Sequence, residues 1–431
     1  MENPGQPLTH ADAAPRLLRF LSQLGHVLLS TGDTVSVVED SVRGVAIAHG
    51  AQQVSVVALP TALFVKFEDG QGTHLDFTSH EGLVLRFDQI EEVFALALEA
   101  RAAGLAPAEG LARLASILAE PPPLGAAWRV GGHVLVTMGI ALVLQPTPGV
   151  IASAAGFGLV VGALKLVADR RPMLATLLPT TAAFLVAAIS LEAALHGFDA
   201  STLGVLIASL VTFVPGGTLA IATMELAYGD MVSGASRFVA GLLQLVFLML
   251  GMIIAASLVG LPPAQLLVQP PEARLGGWAP WLGVMLFAIG HVLHYSAPLR
   301  TLPWLVVVLC VAQTGQLAGS AAFGGYMGGF LGAMVVTPVS YFIQYRLGGP
   351  PAMAIFQPAL WLLVPGSLSV VGLAELAGDN HLAGLEDFVT ALFSIIAIAF
   401  GSLIGSGIYD ALVEPIFSRT GSLVSAVRRL W

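Results

Sequence analysis

Ten long apolar segments follow residue 125, and they constrain what this chain can fold into more strongly than any other feature of the sequence. They lie at residues 130–145, 149–168, 174–195, 201–226, 237–260, 279–297, 302–317, 319–344, 353–376 and 387–409. Several approach the roughly 20 residues with which an α-helix crosses a hydrocarbon core of about 30 Å. Of all 431 residues, 56% are hydrophobic and 10% are charged, whereas soluble domains carry about a quarter charged residues. We therefore predict a polytopic α-helical membrane protein with about ten transmembrane helices.

The first 125 residues differ in composition, which predicts a separate soluble domain. They contain seven Lys or Arg and 15 Asp or Glu, a net charge of 7 − 15 = −8, whereas the remaining 306 residues contain 11 and 12. This acidic balance argues against nucleic acid as a partner, because phosphate binding needs a basic patch. The N-terminus lacks the basic and apolar regions of a secretory signal, so we expect this domain to stay in the cytoplasm.

The pattern of this first domain predicts an α+β fold. Apolar residues recur at helical spacing from Pro15, pause at a turn around residues 31–34, and resume to about Gly50. Ser36 and Glu39 fit a capping box for the second helix, and Asp33 or Thr34 is an equally good N-cap. Runs rich in β-forming residues then flank residues 68–70, a hairpin signal. Two amphipathic helices follow at 87–103 and 107–120, and prolines 121–123 form the linker that ends the domain.

One stretch of the apolar region occurs twice. VPGGTLAIATMELAYGDMVSG at residues 214–234 returns as VPGSLSVVGLAELAGDNHLAG at 364–384, a constant offset of 150 residues. Each copy places a Pro-Gly break inside a long apolar run and a glutamate ten residues after the proline, at Glu225 and Glu375. Such a break leaves backbone polar groups that hydrocarbon cannot satisfy, so it is tolerated only where neighbours or a cavity supply partners.

The positive charges predict how the helices are oriented, because Lys and Arg in short loops favour the cytoplasmic side of a membrane. If the first domain is inside and ten helices follow, ten of the eleven Lys and Arg beyond residue 125, Lys165 among them, fall inside, and only Arg274 falls outside. The two copies of the repeat then run in opposite directions. Each half has five helices, the odd number that an inverted repeat requires.

This topology divides the chain into three parts. We predict a cytoplasmic α+β domain at 1–125, a first membrane half at 126–265 and a second at 266–431, with both termini in the cytoplasm and the helices in the inner membrane. The register of the repeat holds well only for the last two helices of each half. The correspondence of the upstream helices stays open.

The two breaks are candidate substrate sites. A proline at a helix start followed by small residues is a favourable first turn, because proline lacks the N–H that would be left over anyway. Helix N-termini attract carboxylates, and broken helices of transporters use them to hold anionic substrate groups. A proline kink satisfied by neighbouring helices explains either copy alone, but the antiparallel pair favours a site for a small carboxylate-bearing substrate. The predicted binding residues are Pro215, Gly216, Gly217, Thr218, Pro365, Gly366 and Ser367.

Other polar residues are candidates for gating or coupling. At about 1.5 Å per residue, Glu225 lies roughly 15 Å along the helix from Pro215. Glu225 is therefore predicted at the cytoplasmic mouth and Glu375 at the outer one. Asp230 and Arg237 form either a charge pair beside Glu225 or an ordinary solvated loop.

Two histidines lie within the sixth apolar segment. His291 and His294 either relay protons or have a structural role. The spacing of Gly324, Gly325, Gly328, Gly329 and Gly332 predicts close helix packing rather than a substrate role.

An enzyme is the competing class of function. His26, Asp33, Glu39, His49 and Asp76 of the first domain suggest hydrolytic chemistry, but their spacing fixes neither a metal site nor a catalytic triad. Helix caps and surface charges explain them more simply, so we predict no catalytic residue, metal or cofactor. The sequence contains no GxxxxGK[ST] motif, which argues against ATP hydrolysis by this chain as the source of energy.

The chain resembles the threonine/serine exporter family over nearly its whole length, and three stretches carry the resemblance. They are GHVLLSTGDTVSVVEDSVRGVAIAHG, VALPTALFVKF and VPGGTLAIATMELAYGDMVSGASRF, of which the last is the most specific. The residues that match the family pattern are Pro215, Gly216, Glu225, Gly229, Asp230, Ser233, Gly234 and Arg237. The second copy keeps Pro365, Gly366, Glu375 and Gly384, but Asp387 replaces the arginine. Asp33 stands where relatives often have alanine.

The resemblance implies export of small hydroxy amino acids, driven by the proton motive force. Protons are then the coupling ion and the lipid bilayer is the surrounding partner. Relatives split into two subunits are linked to dicarboxylate export, so an exporter of small dicarboxylates is an alternative. A membrane-anchored hydrolase and a sensor role for the first domain also stay open, as does an oligomer of identical chains.

Overall fold

A computed structural model describes residues 13–70, 72–79, 83–144, 147–169, 171–196, 202–260, 275–363 and 381–413. The chain divides into two compact units. The described residues of the first, here the N-terminal unit, come mainly from Met1–Pro121 and Glu225–Ser236. The second, here the helical unit, comprises Pro122–Met224 and Arg237–Ala411. The predicted first domain is thus joined by a twelve-residue segment that lies more than 100 positions later in the chain.

The N-terminal unit has four helices and three strands among its described elements, in the predicted order. These elements are α1 (Ala13–Leu28), α2 (Val35–Ala48), β1 (Gln52–Leu59), β2 (Ala62–Asp69), β3 (Gly72–Ser79), α3 (Phe87–Arg101) and α4 (Pro107–Ala119). The strands form one antiparallel sheet in the order β1-β2-β3. The predicted hairpin at residues 68–70 joins β2 to β3, and a second hairpin, which the sequence pattern did not predict, joins β1 to β2.

Alternation along the strands separates a core face of the sheet from an outer face. Val65 and Phe67 of β2 are buried and pack in one cluster with Phe20 of α1 and Val42 of α2. Phe64, directly before Val65, points the other way and packs against Phe77 of β3 with ring centroids 4.8 Å apart. Because successive side chains of a strand point to opposite faces, this pattern places the helices on one side of the sheet.

The predicted capping box of α2 is wrong. Thr34 holds the N-cap position, but its side chain makes no capping hydrogen bond. The carboxylate of Glu39 accepts a 2.8 Å hydrogen bond from the backbone N–H of Ala58 on β1 instead of reaching back along the helix. A contact to the sheet has therefore replaced the local bond that the sequence spacing favours.

The regular elements described in the helical unit are all helices. The helices are α5 (Ala126–Leu144), α6 (Pro148–Ala168), α7 (Pro172–Leu195), α8 (Thr202–Leu210), α9 (Gly216–Tyr228), α10 (Met231–Val259), α11 (Ala279–His294), α12 (Leu302–Phe323), α13 (Gly325–Arg346), α14 (Ala352–Leu363) and α15 (His381–Ile408). Of these, α9 and α10 each extend into the segment assigned to the N-terminal unit.

Seven spans in the described part are long and apolar enough to cross a membrane, or eight if the bent pair formed by α8 and α9 counts as one span. The helices α11 and α14 are apolar but shorter. The ninth predicted segment, 353–376, lies partly outside the described residues. The chain is therefore mostly helical with seven to eight candidate spans, and the count of ten stays a prediction.

Glycines seven residues apart bring α5 and α11 into close contact. A Cβ atom added to Gly132 would lie 2.5 Å from the backbone nitrogen of His294, and one added to Gly139 would lie 2.7 Å from the carbonyl oxygen of Gly283. On α11, a Cβ atom at Gly290 would meet the backbone nitrogen of Val136 at 2.5 Å. Small residues at such positions let helix backbones approach in membranes. This packing fixes α11, and with it His294, against the start of α5.

The predicted glycine packing of α13 is confirmed at the positions that face other helices. A Cβ atom at Gly328 would lie 2.9 Å from the carbonyl oxygen of Gln316, and one at Gly332 would lie 3.1 Å from that of Ala312, both on α12. Gly329 faces Ile398 of α15. The glycine-rich stretch therefore serves as a contact surface for two neighbouring helices.

Adjacent glycines of α5 provide a matched test of this packing. We expect Gly132→Ala to destabilise the protein by about 1–3 kcal/mol, the usual cost of overpacking. Gly131→Ala places its Cβ where no atom lies within 4 Å, so it should be neutral or stabilising, since alanine favours helices. The measurement is the thermal unfolding midpoint of both purified full-length variants. Equal midpoints for the two would contradict the close approach of α5 and α11.

Candidate functional site

The predicted break lies between α8 and α9. A 3₁₀ turn, Val211–Phe213, follows α8, and the axes on either side of the break differ by 54°. The carbonyl oxygen of Phe213 accepts a 2.7 Å hydrogen bond from Nε2 of Gln244 on α10. A side chain of a neighbouring helix thus satisfies backbone that the break has released, as hydrocarbon surroundings require.

The first turn of α9 has the geometry that the sequence predicts. The backbone N–H of Leu219 donates to the carbonyl oxygen of Pro215 at 2.9 Å, which is the first bond of the helical ladder. The amides of Gly216, Gly217 and Thr218 precede it, in the part of a helix where N–H groups have no acceptor within the helix. Pro215 and both glycines are buried. The carboxylate site at these amides stays a prediction. Pro365, Gly366, Ser367 and Glu375 of the second copy lie outside the described residues.

A lysine lies beside this break. Nζ of Lys165, on α6, is 3.4 Å from Nε2 of His294 at the end of α11. The same ammonium group is 5.0 Å from the ring centroid of Phe213 and 5.7 Å from that of Tyr295. Both ring distances are within the range of cation–π attraction. Lys165 is therefore directed toward the turn that precedes Pro215.

A hydrogen bond indicates which ring nitrogen of His294 carries hydrogen. Its Nδ1 is 2.8 Å from the backbone carbonyl oxygen of Arg129. A carbonyl oxygen only accepts, so Nδ1 carries the hydrogen, and a neutral imidazole then has Nε2 free to accept. The ammonium group of Lys165 is the donor that faces this Nε2. His294 is 6% exposed, so this orientation is held inside the protein.

A second histidine, His133 on α5, repeats this arrangement from the other side. Its Nδ1 donates to the carbonyl oxygen of Gly158 on α6 at 3.1 Å, and its Nε2 lies 3.5 Å from Oγ1 of Thr212 in the 3₁₀ turn. The rings of His133 and His294 meet edge to face, with centroids 4.8 Å apart. Both imidazoles are thus held by backbone carbonyls, and each presents Nε2 to a polar group next to the break.

Aromatic rings of α11, α14 and the residue after α11 lie next to the cluster formed by Lys165, His133 and His294. The rings of His291, Tyr295 and Trp361 lie 4.9 to 5.7 Å apart in all three pairs. A Cβ atom on Gly217 would lie 3.9 Å from Nε1 of Trp361, so this indole is next to the first turn of α9. Ser296, directly after Tyr295, has a φ of 56°, a region that non-glycine residues rarely adopt and that is common at functional sites.

The structure brings His291 and His294 to the break and adds four residues that our sequence analysis did not select: His133, Lys165, Tyr295 and Trp361. We had used Lys165 only as evidence for orientation. One signal was available, because Lys165 is the only lysine after residue 66 and stands within an apolar segment. No local pattern could have joined the other three, since they come from three different stretches of the chain.

Glu225 was predicted at the cytoplasmic mouth, and the structure adds a local contact to it. Its side chain is fully buried, and its Oε1 accepts a 3.1 Å hydrogen bond from the backbone N–H of Val35, the first residue of α2. Both residues belong to the N-terminal unit. The N-terminus of a helix carries a partial positive charge, which a carboxylate stabilises. Glu225 therefore supplies the cap of α2 that Thr34 does not provide.

The segment after Glu225 adds a second acid to this region. Gly229, with a φ of 95°, ends α9, and the backbone N–H of Asp230 donates to the carbonyl oxygen of Glu225 at 2.9 Å. Burial raises the pKa of the Glu39 carboxyl group above its ordinary value of 4.5, and the charge of Asp230 raises it further, whereas the bond from Ala58 acts against this shift. Asp230 thus lies close enough to Glu39 to influence its ionisation. Its pairing with Arg237 stays a prediction.

The residues that suggested hydrolysis have structural partners. His49 is bonded to two backbone carbonyls, those of Val45 and Leu105, at 2.9 and 2.8 Å. Asp76 accepts a hydrogen bond from the amide of Phe77, and Asp33 accepts one from Thr31. In the part of the chain that the structure describes, no group of three or more His, Cys, Asp or Glu side chains is placed to hold a metal ion.

The capping bond of Glu225 leads to a local prediction. We expect Glu225→Ala to destabilise the first turn of α2 by about 1 kcal/mol, the usual cost of losing a helix cap. Hydrogen exchange of the peptide that contains Val35 should become faster in the full-length protein. Glu225→Gln keeps an acceptor oxygen and should have a smaller effect, while Glu99→Ala, at an exposed position, should have none. Unchanged exchange in Glu225→Ala would exclude the cap.

Comparison with protein-family models gives a match. The ThrE family model, described as "Putative threonine/serine exporter", matches residues 19–259, which is more than half of the chain. The matched region begins in α1, includes the break and Glu225, and ends with α10. No curated protein and no solved structure matches the chain.

Proposed function

Because the chain belongs to the threonine/serine exporter family, we propose that it exports small amino acids such as threonine and serine across the cytoplasmic membrane. The family and the candidate spans make it a multi-pass membrane protein of the transporter class. The observation that carries the proposal is the break between α8 and α9, which combines amides of a first helical turn with Lys165 and two histidines. An amino acid has the carboxylate that such a site attracts.

The proposed mechanism is alternating access between two inverted halves. Ten spans with both termini in the cytoplasm would place the halves at 126–265 and 266–431, with 1–125 as a cytoplasmic domain. The carboxylate of the substrate is held at Pro215, Gly216, Gly217 and Thr218, and at the second copy in the other half. The repeated Pro-Gly break supports this arrangement, because several families of secondary transporters have inverted repeats with broken helices at the substrate site.

Protons are the proposed coupling ion. Histidine is the side chain whose charge changes most readily near neutral pH, and intramembrane ionisable residues often form proton relays. His133 and His294 touch each other and flank the break, whereas His291 stacks on Tyr295 and Trp361. We assign the first two to coupling ahead of His291 on the basis of these contacts.

Gly217 provides a matched pair of variants that tests the site. Gly217→Ala adds a Cβ at an ordinary contact distance of 3.9 Å from Trp361, so we expect near-normal efflux of labelled threonine from loaded vesicles. Gly217→Leu extends a side chain into the space beside the first-turn amides and should remove most of the efflux, at unchanged amounts of folded protein. Normal efflux from the leucine variant would exclude this turn as the substrate site.

The same assay separates the alternative substrates. Vesicles loaded with labelled succinate test dicarboxylate export, and efflux of succinate without efflux of threonine would favour it. Removal of residues 1–120 tests the hydrolase alternative, because a transporter core should still bind its substrate without that domain.

A further inference from the structure

We propose that Lys165 is the cationic group that binds the carboxylate of the transported solute, with His294 holding it in position. This inference rests on the proposed export function and identifies the residue that supplies the charge. The turn amides of α9 alone offer only partial charges. An ammonium group beside them makes the site selective for an anionic group over a neutral one.

The orientation of Lys165 is the first argument. The residue lies three positions before the end of α6, where a lysine side chain would ordinarily extend along the helix toward water. Its Nζ instead lies against His294, Phe213 and Tyr295, which belong to the cluster at the break. Placing an ammonium group against these rings removes part of its contact with water, and this costs free energy that a bound anionic group offsets.

The charge balance is the second argument. In the described ranges, no carboxylate oxygen lies within 4.0 Å of the ammonium group of Lys165. Asp169, on the next turn, is bound to Arg129 at 2.6 Å. These three residues together carry a net charge of 2 − 1 = +1. A single carboxylate at Lys165 would make this group of charges neutral.

The hydrogen-bond capacity of the site is the third argument. An ammonium group has three N–H donors, of which His294 accepts one, so Lys165 has donors for both oxygens of a carboxylate. Oγ of Ser209, one turn before Thr212, and Oγ of Ser296, next to Tyr295, are buried without a hydrogen-bond partner among the described residues. Buried polar groups are satisfied in more than about 90% of cases, so these two hydroxyls, beside the 3₁₀ turn and beside Tyr295, still have capacity for hydrogen bonds.

The composition of the chain makes a direct chemical test possible. Lys66 and Lys165 are the only lysines, so in Lys66→Arg the group at 165 is the only lysine amine. We would methylate this variant reductively in detergent and follow modification at Lys165 by mass spectrometry. L-threonine or succinate should slow the modification at least about fivefold, since a bound carboxylate covers the amine. The matched amides, L-threoninamide and succinamide, should not protect it.

A binding cycle gives the second measurement. Charged hydrogen bonds contribute about 1.5–3 kcal/mol, so wild-type protein should prefer the protecting acid over its amide by roughly 10-fold to 100-fold in Kd. Lys165→Met should bind acid and amide equally, whereas Lys165→Arg should keep a preference for the acid. Lys66→Met, at an exposed position of β2, is the control and should behave as wild type.

Each outcome has a defined meaning. Protection by neither acid, or a full preference for the acid in Lys165→Met, overturns the assignment of Lys165. Protection by succinate without any efflux of threonine keeps Lys165 as a carboxylate site and contradicts the proposed amino-acid export. Efflux of threonine at the wild-type rate from Lys165→Met keeps the export function and removes Lys165 from it.

Discussion

The structure of the helical unit depends on one constraint, that backbone released by a helix break needs partners where water is scarce. The sequence places this break at Pro215 within an apolar run. The side chain of Gln244 satisfies the carbonyl of Phe213, and the indole of Trp361 lies against the turn that follows. The polar cluster around Lys165 lies at the same place. The feature that is costly for folding is thus also the feature that concentrates hydrogen-bond donors.

Close packing of glycines makes this concentration possible. Contact between α5 and α11 at Gly132 and Gly290 lets two backbones approach, and this brings His133 and His294 within ring contact. Bulkier residues at these positions would separate the helices and the two imidazoles. The glycines therefore set the distance between side chains that belong to different helices.

The sequence predicted the elements far better than the contacts between them. Spacing and hairpin signals located α1 to α4 and the strands, and the apolar runs located the helices from α5 onward, because these patterns depend on neighbouring residues. The capping box at Ser36 and Glu39 failed, since β1 offered Glu39 a competing backbone amide at Ala58. Glu225 was recognised as important, but its bond to Val35 spans 190 positions and has no local signal.

The candidate site was predicted in part for the same reason. The break and the two histidines of α11 stand out within single apolar runs. His133, Tyr295 and Trp361 have ordinary surroundings in the sequence and acquire their significance only when α5, α11 and α14 meet. Lys165 could be recognised in part, because the sequence shows that it is the only lysine after residue 66 but not where its side chain points.

Transport by the purified protein tests the central claim most directly. Wild-type protein would be reconstituted into liposomes loaded with labelled threonine, and release would be followed with and without an acidic exterior. The account predicts release that requires the protein and becomes faster when protons can flow inward in exchange. Release at the same rate from protein-free liposomes, under both conditions, would contradict it.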